Sequence, residues 1–463
     1  MRKLAFSLLT LSLIAGLTTA CGSSSKDEIS NAQPTAAETS SNQQQEPVNL
    51  VFTYNGGPIE KTVMENSIAE FMKKYPNIKV DAQFVATDYT TKITTMVAGN
   101  TAPDIGYLPA DIALAWAEEG KLANVMDFLK DDPELKREAF LPNIWYDWAP
   151  GKSLGTSTAA EAFTLFYNKN LTDTAGITVP TTADTAWTWD QFVENARKLT
   201  IDKKGHNALD AAFDPNNIKQ YGVQFGTWWG SYMNMVYSNG GAYLNDDGTE
   251  FKLNSPESAE AIQKIADLIN VYHVMPSPVQ ASSLPGMATA MQTNQVAMFI
   301  DGQWSLLDVD AAKVPFGIGV LPKMKKSVTL MVGDPTVIFN STKHPKEAWL
   351  LYKWLANPET SLELHKGGLW MPLLKDWYEK PELIAKWAEN NSAHPEGYKD
   401  AVVNQAMKNG IPGLAYTVRN FPTIDSIVTP ALDKVWMGES KAQDVLNEIA
   451  PKVQAELKGI AGK

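Results

Sequence analysis

Cysteine is nearly absent from this 463-residue chain: Cys21 is the only one. A disulfide within the chain is therefore excluded. Histidine is sparse, and His206, His273, His344, His365 and His394 lie far apart, with no H-E-x-x-H or other zinc spacing. No metal site and no cofactor are expected. There is no G-x-S-x-G, and Ser305 and Ser341 lack evident triad partners. Basic runs are missing too. The formal net charge is −12, an acidic balance that repels nucleic acid and anionic lipid. Beyond the first twenty or so residues, no apolar stretch is long enough to cross a membrane.

What is present begins at the N-terminus. Met1-Arg2-Lys3 is followed by an apolar run over residues 4–17 and then by Thr18-Thr19-Ala20-Cys21. A basic start, a short apolar core and small residues before a cut describe an export signal over residues 1–20. The run is too short to span a bilayer comfortably. Small residues ahead of one cysteine resemble the bacterial lipobox, in which the thiol is lipidated and becomes the new N-terminus. Thr18 stands where that motif usually has leucine, and Leu17 lies one place earlier. The resemblance implies that Cys21 anchors the protein to the outer face of the cell membrane; a plain secretion signal with a stray cysteine is the alternative. Residues 21–46 are mostly Ser, Gln, Asn, Ala, Thr and Glu, a composition that cannot bury enough surface to offset its ordering entropy. They read as a flexible tether, with about 25–30 Å of root-mean-square reach.

The remaining body exceeds what one hydrophobic core normally supports, so two domains are expected. Its first part alternates. Strands are expected over 48–54, 78–85 and 104–108, with helices between them carrying Met64, Ile68, Phe71 and Met72, then Ile93, Met96 and Val97. That order implies a parallel sheet with helices on its faces, and ligands of such sheets sit at the carboxyl ends of the strands. A second group follows the strand 163–167. It holds helices over 189–199, with Thr188 and Gln191 spaced as a capping box, over 256–272 and over 435–457, and strands over 295–300 and 316–321. Asn245-Asp246-Asp247-Gly248 lacks the ligand alternation of a calcium loop and reads as a hairpin turn between Tyr243 and Phe251.

Six motifs carry a family resemblance. They are Lys73-Lys74-Tyr75-Pro76-Asn77-Ile78-Lys79-Val80 and Met96-Val97-Ala98-Gly99-Asn100-Thr101-Ala102-Pro103-Asp104-Ile105; Glu161-Ala162 with Phe166-Tyr167-Asn168-Lys169-Asn170-Leu171; Ser238-Asn239-Gly240-Gly241-Ala242-Tyr243; Val296 to Trp304; and Lys343-His344-Pro345-Lys346-Glu347-Ala348-Trp349. In this order they resemble the sugar-binding solute-binding proteins of ABC importers, the maltose-binding-protein-like family, over about 400 residues. The resemblance implies an α/β protein of two lobes, each a sheet flanked by helices. Residues 47–166 and 332–390 would form lobe 1, and 167–331 and 391–463 lobe 2. Hinge crossings would follow Tyr167-Asn168, fall near 330–333, and occur within 384–400. It also implies a monomer that captures a carbohydrate, without catalysis, and delivers it to the transmembrane subunits of an ABC permease. Two rivals share parts of this reading: an exported glycan hydrolase working through two carboxylates, and a sugar-sensing subunit for a membrane kinase.

A sugar needs aromatic plates for its C–H faces and carboxylates, amides or arginine for its hydroxyls. Matching to the family places Trp304 as a stacking plate after Asp301, Asp111 and Glu161 against hydroxyls, and Asn55 and Gly56 at the first strand's end. Trp228 and Trp229 fall where relatives set an aromatic contact, and Arg419 near a C-terminal contact region. Tyr54, Tyr89 and Trp370 are further candidates. Each has a structural alternative: core packing for Trp304, Trp370 and one of the Trp228–Trp229 pair, and a helix N-cap for Asp111. A neutral or mildly acidic saccharide is the expected ligand.

Overall fold

The structure, a computed structural model, describes residues 46–389 and 391–462. The export signal, Cys21 and all but the last residue of the expected tether lie outside the described residues. The first strands are β1 (Val48–Tyr54), β2 (Ile78–Phe84) and β3 (Ile105–Tyr107). Next come β4 (Trp145–Ala149), β5 (Lys152–Thr156), β6 (Glu161–Asn168), β7 (Ile201–Asp202) and β8 (Ile218–Phe225). The last five are β9 (Val296–Gly302), β10 (Phe316–Gly319), β11 (Thr329–Val332), β12 (Thr336–Ile338) and β13 (Gly410–Pro412).

The smaller sheet has the order β12-β3-β1-β2. β1 runs parallel to β2 in unbroken register from Val48↔Ile78 to Tyr54↔Phe84, and parallel to β3 on its other side. Helices Pro58–Lys74 and Tyr89–Ala98 make the two crossovers, as the apolar spacing of Met64, Ile68 and Phe71 requires. The larger sheet has the order β13-β11-β6-β9-β8-β7, with β10 also pairing β6. β6 is buried almost throughout because both of its faces are covered. Phe163 and Leu165 enter one core cluster, while Ala162 and Phe166 enter the other. Such two-sided burial accounts for the near-continuous apolar run in the sequence.

The two sheets are joined where the chain crosses between them. Segments 157–160 and 333–335 run antiparallel side by side, bridged at Ser157↔Pro335 and by the Thr158 N–H to the Asp334 carbonyl at 2.7 Å. Gly333 sits in this crossing with φ of 147°, and a Cβ there would press on the Ala159 carbonyl oxygen at 2.9 Å; only glycine is comfortable in that position. A third strand of chain packs alongside, with Ala160 and Met371 exchanging backbone hydrogen bonds at 3.1 Å. The fully buried Gln303 ties these pieces together. Its carbonyl oxygen accepts the Ala162 N–H at 2.8 Å, and its amide donates to the Leu369 carbonyl at 2.9 Å.

Three sequence expectations need adjustment. The lobe boundary drawn at 166/167 falls inside β6, which pairs throughout within the larger sheet, so the first crossing precedes Glu161. The helix expected over 435–457 is two helices, Phe421–Trp436 and Ala442–Glu456, because Gly438 takes a left-handed φ of 75° and ends the first. Asp111 does not cap its helix: Pro109 holds that position, and Asp111 lies in the first turn of Ala110–Glu118. The capping box of Thr188 and Gln191 is present, with hydrogen bonds of 3.2 and 2.9 Å. The hairpin reading of residues 245–248 agrees with the antiparallel bridge Leu244↔Phe251.

Candidate functional site

The carboxyl ends of β1, β3, β8 and β9 open toward one cavity of about 310 Å³. From the smaller sheet come Asn55 and Gly56 after β1, and Ala110 after β3; from the larger come Trp228 and Trp229 after β8, and Trp304 after β9. The crossings supply Thr158, Ala159, Glu161, Gly333 and Asp334. A second cavity of about 610 Å³ adjoins it, sharing Ala110, Trp229, Asp334 and Ala415 and adding Asp111, Phe421 and Asp425.

Three tryptophans make the aromatic wall. Trp304 follows the turn out of β9, and its indole lies directly on the backbone of Gly302, where a Cβ would collide with the ring. Phe163 meets Trp304 edge-on at 5.4 Å and Trp228 in a tilted contact at 5.8 Å, and Trp228 meets Trp229 edge-on at 5.2 Å. Trp229 is held in turn by Phe421 at 5.3 Å. Trp228 remains 40% exposed, a large apolar surface left open beside a cavity. Across from this wall, Trp370 lines the cavity at only 5% exposure, packed against Tyr107.

The polar lining is acidic. Glu60 is the third residue of helix Pro58–Lys74, and its carboxylate accepts the Gly57 N–H at 2.9 Å. Burial raises its pKa, partly offset by that N–H. Burial also lifts Glu161 well above the usual carboxylate range, and the charges of Asp334, Glu60 and Asp301 add to the effect. Asp334 is exposed to the open cleft, yet protein surrounds the cleft and desolvates its carboxylate. That desolvation pushes its pKa up to about 6, opposed by the Ala110 N–H that it accepts at 3.0 Å and reinforced by Asp111. Tyr146 donates its hydroxyl to the Gly333 carbonyl at 2.5 Å and packs on Tyr416 at 4.3 Å, bracing the crossing.

Seven of the residues singled out from sequence line this cavity: Asn55, Gly56, Glu161, Trp228, Trp229, Trp304 and Trp370. Five do not. Tyr54 is fully buried and stacked on Phe52 at 5.0 Å. Tyr89 is buried, with its hydroxyl donating to the Tyr107 carbonyl at 2.6 Å. Asp301 accepts the Ser305 hydroxyl at 2.6 Å behind the wall. Arg419 pairs with Glu118 at 2.9 Å and donates to the Trp148 carbonyl at 3.0 Å. Asp111 opens into the adjoining cavity rather than the one holding Trp304. Sequence reasoning missed Glu60, Tyr107, Tyr146, Asp334 and Tyr416. A signal existed for two of them. Glu60 follows Gly57-Pro58, a helix start at a strand's end, and Asp334 adjoins the segment read as a crossing.

Two sheets whose strand ends share one cleft, joined by adjacent crossings at its floor, define a two-lobed ligand-binding protein. The chain belongs to the bacterial extracellular solute-binding protein family, whose model matches residues 56–361. It is similar to a putative binding protein of Brucella abortus (strain 2308), 24% identical over 436 residues that cover 88% of this chain and 95% of the relative. A maltooligosaccharide ABC transporter solute-binding lipoprotein of Streptococcus pneumoniae is 23% identical over 461 residues, covering 97% and 96%. Among solved structures, an ABC substrate-binding protein of Listeria monocytogenes in complex with cycloalternan shares the fold at a TM-score of 0.75 and 23% identity, covering 89% of this chain and 99% of that one. The resemblance read from the six motifs therefore holds at the level of family and fold. Among the described residues, no helix is long and apolar enough to cross a membrane.

Proposed function

We propose that this protein is the lipid-anchored, extracytoplasmic solute-binding component of an ABC importer, which captures a carbohydrate between its lobes and delivers it to a membrane permease. One observation carries the reading. A wall of Trp228, Trp229 and Trp304 on one lobe faces carboxylates at the hinge and on the other lobe across a cavity. Flat indoles suit the C–H faces of a pyranose, and carboxylates accept its hydroxyls. The relatives named for maltooligosaccharide transport and found with cycloalternan support the same class of ligand. A ligand touching both lobes makes closure and binding one event.

A thermal-shift screen against a saccharide panel tests this. A saccharide at about 100 times its dissociation constant stabilises the folded state by about 2.7 kcal/mol, and prolonged incubation should return it intact. Release of fragments would favour the hydrolase alternative. For the anchor, Cys21→Ser should release the protein into the medium, since Cys21, ahead of the polar tether, is the only thiol in the sequence. Retention of the variant at the membrane would contradict that part of the reading.

A further inference from the structure

The cleft is one-sided in charge. Glu60, Glu161 and Asp334 line the main cavity, and Asp111 and Asp425 line its extension, while no lysine, arginine or histidine among the described residues lines either. The one cation the sequence offered for this region, Arg419, is committed to Glu118 and the Trp148 carbonyl. The Glu161 carboxylate has no hydrogen-bond or ion-pair partner among the described residues, and beyond burial the neighbouring carboxylates raise its proton affinity further. The acids also face one another between lobes. Asp111 stands on helix Ala110–Glu118 beside the smaller sheet, and Asp425 on helix Phe421–Trp436, whose buried residues pack in the larger sheet's core. Burial raises the pKa of Asp425, and the nearby charge of Asp111 adds to that.

Resting on the carbohydrate reading above, we propose that the ligand of this cleft is a saccharide bearing one or more protonated amino groups. An ammonium supplies the missing countercharge and donates charge-assisted hydrogen bonds to the carboxylates. The indole faces of the wall attract the same charge through their quadrupoles. A neutral saccharide donates hydroxyls to the carboxylates but brings no countercharge, and an acidic one adds a further like charge. Closure acquires a chemical condition as well: jaws that carry acids on both sides close most readily on a cation.

The test is calorimetry on the mature protein at neutral pH and low salt. The probes are trisaccharides in gluco, galacto and manno configuration, each offered with hydroxyl, free amine or N-acetyl at carbon 2. The amine form of at least one configuration should bind ten-fold or more tighter than its hydroxyl and N-acetyl counterparts, and added salt should erode that preference. Asp334→Asn and Asp425→Asn, each shown to be folded by its melting curve, should shrink the preference for amine over hydroxyl. Hydroxyl forms binding as tightly as amines would overturn the inference and leave the carbohydrate reading standing. Failure of every saccharide to bind would overturn both.

Discussion

Replacing Trp304 by alanine is expected to weaken saccharide binding by roughly 1–3 kcal/mol, the value of burying and stacking one large ring. That is about a 5- to 150-fold rise in dissociation constant. The effect should be concentrated here because of how the ring is held. Its indole lies on the Gly302 backbone and against Phe163 at 5.4 Å, so the plate is fixed before any ligand arrives. A preorganised plate loses little entropy on binding. Trp228 is seated in a similar way, on the Gly230 backbone and against Trp229, but at 40% exposure it is less enclosed and should contribute less. Calorimetry on Trp304→Ala and Trp228→Ala, with urea melts to confirm folding, measures the difference. Equal affinity of the parent and Trp304→Ala would remove Trp304 from the site.

The second large effect lies away from the cleft. Asp132 joins the returning helix Pro345–Ala356 to the first part of the chain. It accepts the Trp349 indole N–H at 2.7 Å, pairs with Lys353 at 2.9 Å, and takes the Glu134 and Leu135 N–H groups at 2.9 Å each. Its side chain is only 4% exposed. Burial alone would raise its pKa, but these donors, Lys353 foremost, outweigh burial and hold it at about 2. Asp132→Ala should cost about 3 kcal/mol, the low end for breaking a buried pair, because Lys353 keeps Glu134 at 2.9 Å. The pH signature has a definite sign. A lowered folded pKa contributes stability above the unfolded value of 3.8 that is lost as pH falls toward about 2. Parent and variant should therefore converge in urea stability across that acid window. A gap that stays constant there would show that Asp132 acts through packing alone.

Much of the smaller sheet was legible because its signals are local. β1 was bounded correctly by its apolar pattern and by the Asn55-Gly56-Gly57-Pro58 turn, and β2 by Pro76-Asn77 before it. The tryptophan wall was legible through motif matching, since Trp304 and the Trp228–Trp229 pair sit just past strand ends. Tyr54 was misplaced although its face could be counted: Leu50, Phe52 and Tyr54 alternate onto one side of β1, and all three are buried. Tyr89 follows a different logic, because its hydroxyl turns back to the Tyr107 carbonyl once β3 lies beside β1. Tyr146 and Tyr416 reach the cavity only through the pairing of distant crossings, and no local pattern carries that; Asp334 adjoins the segment read as a crossing, but its place in the cavity needs the same pairing. The break at Gly438 was missed because the apolar spacing continues on both sides of it.

The measurement that bears most directly on the central claim is a crystal structure of the protein with the saccharide that stabilises it most. A sugar ring should lie flat on Trp304, between the two sheets, with hydroxyl or amino groups at Glu161 and Asp334. A saccharide bound elsewhere, with the Trp304 face left to water, would contradict that claim.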